Sequence, residues 1–265
     1  MRFVSIASGS SGNCIYAGTE RTHMLIDAGV SAKRIEKGLF ELGLKPSEIS
    51  AVCITHEHSD HIRGLGVLAR KYGIPVYATE GTLKEIRKTK SLGEYPGELL
   101  HAILPDADFL VGEMTVRPFH IDHDAADPVA YRIQAGTKSI AVITDLGHYN
   151  QYVIDHLLDL NAVLLESNHD LRMLETGPYP YYLKRRIMGD FGHLSNENAG
   201  RLLNCILNDK LKYILLGHLS KENNMPELAY ETVRLEVDMG AGPYQASDFH
   251  IAVARRDEMS EILTV

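Results

Sequence analysis

Residues 51–61 read Ala-Val-Cys-Ile-Thr-His-Glu-His-Ser-Asp-His, and this run constrains the fold more than any other part of the chain. The apolar stretch Ala51-Val52-Cys53-Ile54 predicts a buried strand. It leads directly into His56, Glu57, His58, Asp60 and His61. Buried imidazoles and carboxylates without partners are costly, so packing alone does not account for the group. Both are ligand types of divalent metal sites. Alternation along extended chain points His56 and His58 the same way. Asp60 and His61 then turn toward a second ion as the chain bends into a helix. The end of this strand must therefore open into a cleft where further ligands meet it. A divalent metal pair generates a nucleophilic hydroxide at neutral pH, which points to hydrolysis.

The 265 residues are 45% hydrophobic and 23% charged, an ordinary globular composition. The many short alternating segments predict a single domain over residues 1–265. No apolar stretch is long enough for a transmembrane helix. The start, Met1 to Ser5, runs into a strand and lacks the pattern of a signal peptide. Cys14, Cys53 and Cys205 are far apart and odd in number. They read as reduced, mostly buried thiols of a cytoplasmic protein. A formal charge of −8 argues against binding nucleic acid through a general basic surface. It leaves room for local basic patches around a site, where two divalent ions would themselves attract phosphate.

Short strands are predicted at Phe3–Ile6, Cys14–Ala17 and Met24–Asp27. Ser31 is a helix N-cap, with Ile35, Leu39 and Leu42 as the apolar face and Gly43 as the stop. Leu65, Leu68 and Tyr72 mark another helix, closed by Gly73. Strand Val76–Thr79 and a helix over 80–89 follow. The middle is β-rich: Leu99–Leu104, Met114–Ile121, Val129–Gln134 and Ser139–Thr144. Later come a helix near Val153–Leu158, strand Ala162–Leu165, a helix through Leu202–Leu207, strand Tyr213–Leu216, helix Leu228–Val237 and a last strand at Phe249–Val253. The order predicts two packed sheets with helices outside. Residues 168–196, carrying Gly177-Pro178-Tyr179-Pro180 and Lys184-Arg185-Arg186, read as an excursion from that core near the active site.

A two-metal site needs more ligands than one motif supplies. Three positions place a polar side chain just after an apolar strand: His123, Asp145 and His218. Asp145 could bridge two metals through its carboxylate. His120 competes with His123, but it lies within its strand, where a packed imidazole is the usual outcome.

This ordered set resembles the metallo-β-lactamase-fold hydrolases: Asp27 in Leu-Ile-Asp-Ala-Gly, His56-x-His58-x-Asp60-His61, His123, Asp145 and His218. The resemblance implies an α+β fold, the four-layer αββα sandwich. It implies one metal at His56, His58 and His123 and another at Asp60, His61 and His218, with Asp145 bridging and Asp27 orienting the ligands. Ser8 to Asn13, Ser167-Asn168-His169-Asp170, Gly177 to Pro180 and Gly192 to Asn196 further resemble the YycJ/WalJ-type bacterial branch, related to RNase Z and PhnP-type phosphodiesterases. That branch is regarded as DNA-directed, with 5′-to-3′ exonuclease activity. The sequence departs from its relatives at Ala130-Tyr131, where they tend to have Gly before the aromatic residue.

The expected function is a metal-dependent phosphodiester hydrolase, a 5′-to-3′ DNA exonuclease. A hydroxide held by two zinc or manganese ions (iron also suits the ligands) attacks phosphorus in line. Asp60 orients the hydroxide, and His193 or His169 protonates the leaving oxygen. DNA is the expected partner, with no membrane. A small-molecule phosphodiesterase, or a thioester or lactone hydrolase on the same scaffold, is the alternative. A scaffold that has lost its chemistry is disfavoured by the complete ligand set. Lys184, Arg185 and Arg186 read as one solvated helix face. The Ser8–Asn13 loop reads either as a backbone cradle for phosphate or as a plain turn. His148 reads as a support for the ligands.

Overall fold

A computed structural model describes residues 1–94 and 96–265. The chain forms strands β1 (Arg2–Ala7), β2 (Cys14–Gly18) and β3 (His23–Ile26), helix α1 (Ala32–Glu41), strand β4 (Ala51–Cys53), helices α2 (Ser59–Ile62) and α3 (Leu65–Tyr72), strand β5 (Val76–Thr79) and helix α4 (Glu80–Lys88). Strands β6 (Leu100–Ile103), β7 (Phe109–Val111), β8 (Met114–His120), β9 (Val129–Ala135) and β10 (Lys138–Ile143) make up the β-rich middle. Helix α5 (Gln151–Leu157) leads to β11 (Ala162–Glu166), then α6 (Leu171–Thr176), α7 (Tyr181–Met188) and α8 (Asn196–Ile206). Strand β12 (Tyr213–Gly217), α9 (Pro226–Asp238), β13 (His250–Val253) and β14 (Leu263–Thr264) complete it.

Two seven-stranded sheets result, ordered β14-β1-β2-β3-β4-β5-β6 and β13-β12-β11-β10-β9-β8-β7. Each is mixed. Strands β3 to β6 run parallel, as do β10 to β13, while the remaining pairs are antiparallel. Three apolar layers hold the stack together. Phe3, Ile15, Met24 and Ile26 of the first sheet meet Val116, Ile133, Val142 and Leu164 of the second. Outside the first sheet, Val4, Tyr16 and Val52 pack on Ile35, Leu39, Leu65 and Leu83 from the helices. Outside the second, Ala141, Val163 and Ile214 pack on Leu157, Leu202, Leu203 and Val233. Parallel strands buried on both faces read as near-continuous apolar runs, as β10, β11 and β12 do. The arrangement is the αββα sandwich.

The helix punctuation is borne out. Ser31 accepts from the Arg34 N–H as N-cap of α1, and Gly73 closes α3 with φ +66°. Two strands depart from the sequence reading. The expected final strand is followed by β14, which returns to pair with β1 through Arg2↔Thr264 and Phe3↔Leu263. Strand β7 was not anticipated either. Both are two or three residues long, and their pairing, not their local pattern, makes them strands.

The parallel runs aim the ends of β3 and β4 one way in the first sheet and those of β10, β11 and β12 one way in the second. Asp27, the His56–His61 segment, Asp145, Glu166 and His218 all sit at or just beyond those ends.

Candidate metal centre

Asp27, Asp145 and His218 follow β3, β10 and β12 with φ of 61°, 59° and 56°. The left-handed region is uncommon for residues other than glycine, though Asp and His are among those that visit it. Non-glycine residues held there cluster at functional sites. Each turn directs its side chain into the space that the His56–His61 segment enters from β4.

Sets of donor atoms lie within 4.8 Å of one another there: His56, His58 and His123; Asp60, His61 and His218; His56, His61 and Asp145; and Asp145, Glu166, His193 and His218. All seven residues expected as metal ligands are therefore in one place. His123 Nε2 is 3.3 Å from His58 Nδ1 and 3.6 Å from Asp145 Oδ1. Asp60 Oδ2 is 3.4 Å from His218 Nε2 and 3.5 Å from His61 Nε2. Asp145 Oδ2 approaches His61 Nε2 to 3.1 Å without hydrogen-bond geometry.

The hydrogen bonds around the rings select which nitrogen faces inward. His61 Nδ1–H donates to Asp27 Oδ2 at 2.7 Å. His218 Nδ1–H donates to Glu166 Oε1 at 2.7 Å. His123 Nδ1–H donates to the Gly192 carbonyl at 3.2 Å. The Thr55 hydroxyl donates to Asp27 and so accepts from His56 Nδ1–H at 3.0 Å. In each ring Nε2 is the nitrogen on the side of the centre, and His56 Nε2 is buried with no partner. A buried nitrogen lone pair without a donor costs roughly 1–3 kcal/mol, which a cation would relieve. The donor set thus fits a divalent metal.

The charges say the same. Burial lowers the basicity of His61 and His218, yet Asp145 with its neighbouring carboxylates outweighs it. His61 is raised well above its ordinary value and His218 to about 10. Burial raises the Asp145 carboxyl, and His218, His61 and His56 more than reverse this. Asp27, Asp60, Asp145 and Glu166 form a concentration of negative charge, three of them almost wholly buried. Such a group requires positive counter-charge.

Glu166 was not singled out in the sequence. It is fully buried and accepts from His193 Nδ1 at 2.9 Å, from His218 Nδ1 at 2.7 Å and from the Leu194 and Leu146 N–H groups. Burial raises its carboxyl, and His193 and His218 hold it down at about 2. The signal was present, since a glutamate closes the apolar run Ala162-Val163-Leu164-Leu165.

The two candidate proton donors differ. His193 is half-buried and within 3.7 Å of Asp145 Oδ1. His169 is buried, with Nδ1 unpartnered. Burial lowers its basicity to about 4, so it is neutral at pH 7 with no extra proton to give. It falls outside every donor set described above.

Several expectations are corrected. His120 is not packed: its side chain is 55% exposed, 3.7 Å from Asp127, because it faces outward at the end of β8. His148 is exposed and stacks on Tyr149. The Ser8–Asn13 loop is no phosphate cradle. The N–H groups of Ser8, Gly9, Ser10, Gly12 and Asn13 all donate within the protein. The loop supports the centre instead, with Asn13 N–H on the Asp60 carbonyl at 2.8 Å, Ser8 Oγ accepting from His218 N–H at 2.8 Å, and Asn13 Nδ2 3.2 Å from His61 Nε2. Lys184, Arg185 and Arg186 do not form one solvated face. Lys184 Nζ donates to the Glu175 and Gly177 carbonyls, each at 2.7 Å. Arg186 holds Asp124 through two hydrogen bonds, while Arg185 is exposed. Glu57, which was not expected as a ligand, lies outside the donor sets and accepts from the Ala126 N–H at 2.9 Å. Cys14 and Cys53 are buried as expected, but Cys205 is exposed, and all three are free. Tyr131, beside the unusual Ala130, donates its hydroxyl to the Ile54 carbonyl at 2.7 Å, tying β9 to the strand that carries the histidine motif.

Comparison with known proteins agrees with this architecture. The family model described as "Metallo-beta-lactamase superfamily" matches residues 7–218. The chain is 40% identical over 244 residues to exodeoxyribonuclease WalJ of Streptococcus pneumoniae serotype 2, covering 91% of each. It is 39% identical over 251 residues to exodeoxyribonuclease YycJ of Bacillus anthracis, covering 94% of each. Among solved structures, the metallo-beta-lactamase fold protein YhfI from Bacillus subtilis superposes with a TM-score of 0.71 at 18% identity, covering 98% of each chain. With the histidine motif on a parallel strand end, the αββα layers and these matches in hand, the chain belongs to the metallo-beta-lactamase superfamily.

Proposed function

We propose that this protein is a metal-dependent phosphodiesterase that removes nucleotides from DNA ends in the 5′-to-3′ direction. The observation that carries it is the convergence of inward-facing donor atoms from His56, His58 and His123 and from Asp60, His61 and His218 about Asp145. The exodeoxyribonuclease names of two relatives, matched over nearly their whole length, support DNA as substrate.

The first triad would hold one ion, the second another, with Asp145 shared. Imidazole with carboxylate suits zinc and manganese, and iron also. When bound, two such ions supply Lewis acidity toward the phosphoryl oxygens and a nucleophilic oxygen at neutral pH. The rest falls to the protein. Asp27 and Glu166 keep His61 and His218 in the tautomers that present Nε2. Asp60, a partly open ligand at 21% side-chain exposure, accepts the hydrogen bond that orients the attacking water. His193, with Nδ1–H held by the Glu166 carboxylate, would act in its doubly protonated form, passing the second proton, on Nε2, to the departing oxygen. His169, neutral and set back, positions that loop. We place the protein in the cytoplasm, whose reducing conditions suit its three free thiols. Among the described residues no helix is long and apolar enough to cross a membrane.

Two outcomes follow. Chelation should stop turnover and lower the melting temperature, with recovery on adding Zn²⁺ or Mn²⁺. A ligand at a hundredfold its Kd contributes about 2.7 kcal/mol, readable by scanning fluorimetry. An unchanged melting temperature would remove the metal reading. Glu166→Gln keeps the shape but removes the charge facing His193 and His218, so metal affinity should fall by about 10–100-fold in a competition titration. Undiminished affinity would show that Glu166 serves only packing.

A further inference from the structure

We infer that the outward face of α7, together with Phe191, is a stacking platform for an unpaired stretch of the DNA substrate beside the metal centre. This rests on the DNA reading above and names the form of DNA that is held.

Helix α7 is an unusual surface element. Tyr181 and Tyr182 are each 74% exposed, Phe191 just beyond the helix is 59% exposed, and Arg185 of the same helix is exposed too. A lone exposed ring such as Phe40 is ordinary, but neighbouring exposed aromatic residues make a patch of the kind that marks an interaction site. The inward face is accounted for, with Ile187 buried and Lys184 bonded to the carbonyls of Glu175 and Gly177.

The helix is fastened to the centre at its C-terminal end. His193 N–H donates to the Ile187 carbonyl at 2.9 Å, and Gly192, next to Phe191, accepts from His123. Arg186 holds Asp124, whose Oδ1 is 3.5 Å from His123 Nε2. Residues four apart share a helix face, so Tyr182 stands one turn outward from Arg186 and Tyr181 one turn outward from Arg185. The aromatic surface thus begins at the metal centre and leads away from it.

Aromatic rings beside an arginine are what an unpaired strand needs: each base has a face that stacks, and the backbone phosphates meet the cation. Charge complementarity favours this occupant. In a chain of net charge −8, Arg185 is a cation left open at the edge of the site.

The test compares wild type, Tyr181→Ala/Tyr182→Ala, Tyr181→Phe/Tyr182→Phe and Arg185→Ala as full chains. Anisotropy of a labelled oligothymidylate is measured in the Asp145→Asn background, and hydrolysis of the same oligonucleotide and of bis-p-nitrophenyl phosphate in the active one. The double alanine variant should bind the oligonucleotide at least about tenfold more weakly, since stacking on one ring is worth about that much or more. Its turnover of the small diester should be unchanged, and the phenylalanine variant should retain binding. Arg185→Ala should reduce the salt slope of binding by about 0.7. Wild type that cleaves DNA with affinity unaltered in the double alanine variant overturns the platform and leaves the exonuclease reading standing. Wild type that cleaves only the small diester and binds no oligonucleotide overturns both. A change in oligomeric state, or loss of binding to anionic vesicles, with DNA affinity intact, assigns the face to another copy or to a lipid surface and overturns the proposal.

Discussion

Asp145→Asn should lower turnover of any substrate by about a thousandfold or more while the protein stays folded. Asp145 lies within contact range of His61, His123, His193 and His218, so it touches both ligand triads. Removing its charge takes away the group they share, and losses of several kcal/mol in transition-state stabilisation follow when such electrostatic partners go. Asn tolerates the left-handed backbone at φ 59°, so melting should shift little. Asp145→Ala should lose as much activity and about 1–2 kcal/mol of stability besides, because Ala lacks that tolerance. Retained activity in the folded Asn variant would remove Asp145 from the chemistry.

Gly29→Ala should be the most destabilising single methyl added near the site, at roughly 3 kcal/mol or more. A Cβ there would overlap the carbonyl of Asp60 and lie 2.7 Å from the Asn13 nitrogen. Three segments are knitted at this point: Gly29 N–H to the Asn13 carbonyl at 2.7 Å, Asn13 N–H to the Asp60 carbonyl at 2.8 Å, and Ala28 N–H to the His61 carbonyl at 2.8 Å. None can withdraw without moving the ligand loop. Gly43→Ala is the control. Its Cβ meets nothing within 4 Å, and only the φ of +77° opposes it, a cost of about 1 kcal/mol. Chemical denaturation of both variants measures the difference, and equal midpoints would show that the ligand loop yields freely.

Much of the centre was legible because the signal is local and costly. A histidine or aspartate directly after an apolar strand, as at His56, Asp145 and His218, has few reasons to be there apart from a site. Glu166 carries the same signal, but its role depends on His193 and His218, which lie 27 and 52 residues away in the chain. Only the fold brings them together. The Ser8–Asn13 loop shows the opposite difficulty. Its small residues suit a phosphate cradle, yet hydrogen bonds within the loop and to other segments occupy its N–H groups apart from that of Ser11. The three adjacent cations of Lys184–Arg186 separate for the same reason, since Lys184 and Arg186 meet different neighbours once α7 docks while Arg185 stays exposed. His120 and His123 were distinguished by strand-end placement, but the direction in which His120 points follows from the register of β8 against β9. Strand β14 exists only because β1 pairs with it.

The central claim is metal-dependent cleavage of DNA from a 5′ end. The most direct measurement incubates 5′-labelled duplex DNA, beside bis-p-nitrophenyl phosphate, with the protein and Mn²⁺ or Zn²⁺, and with Asp145→Asn in parallel. The account predicts metal-dependent release of labelled mononucleotide that the variant does not produce. Cleavage of the small diester with intact DNA, or activity equal in the variant, would contradict it.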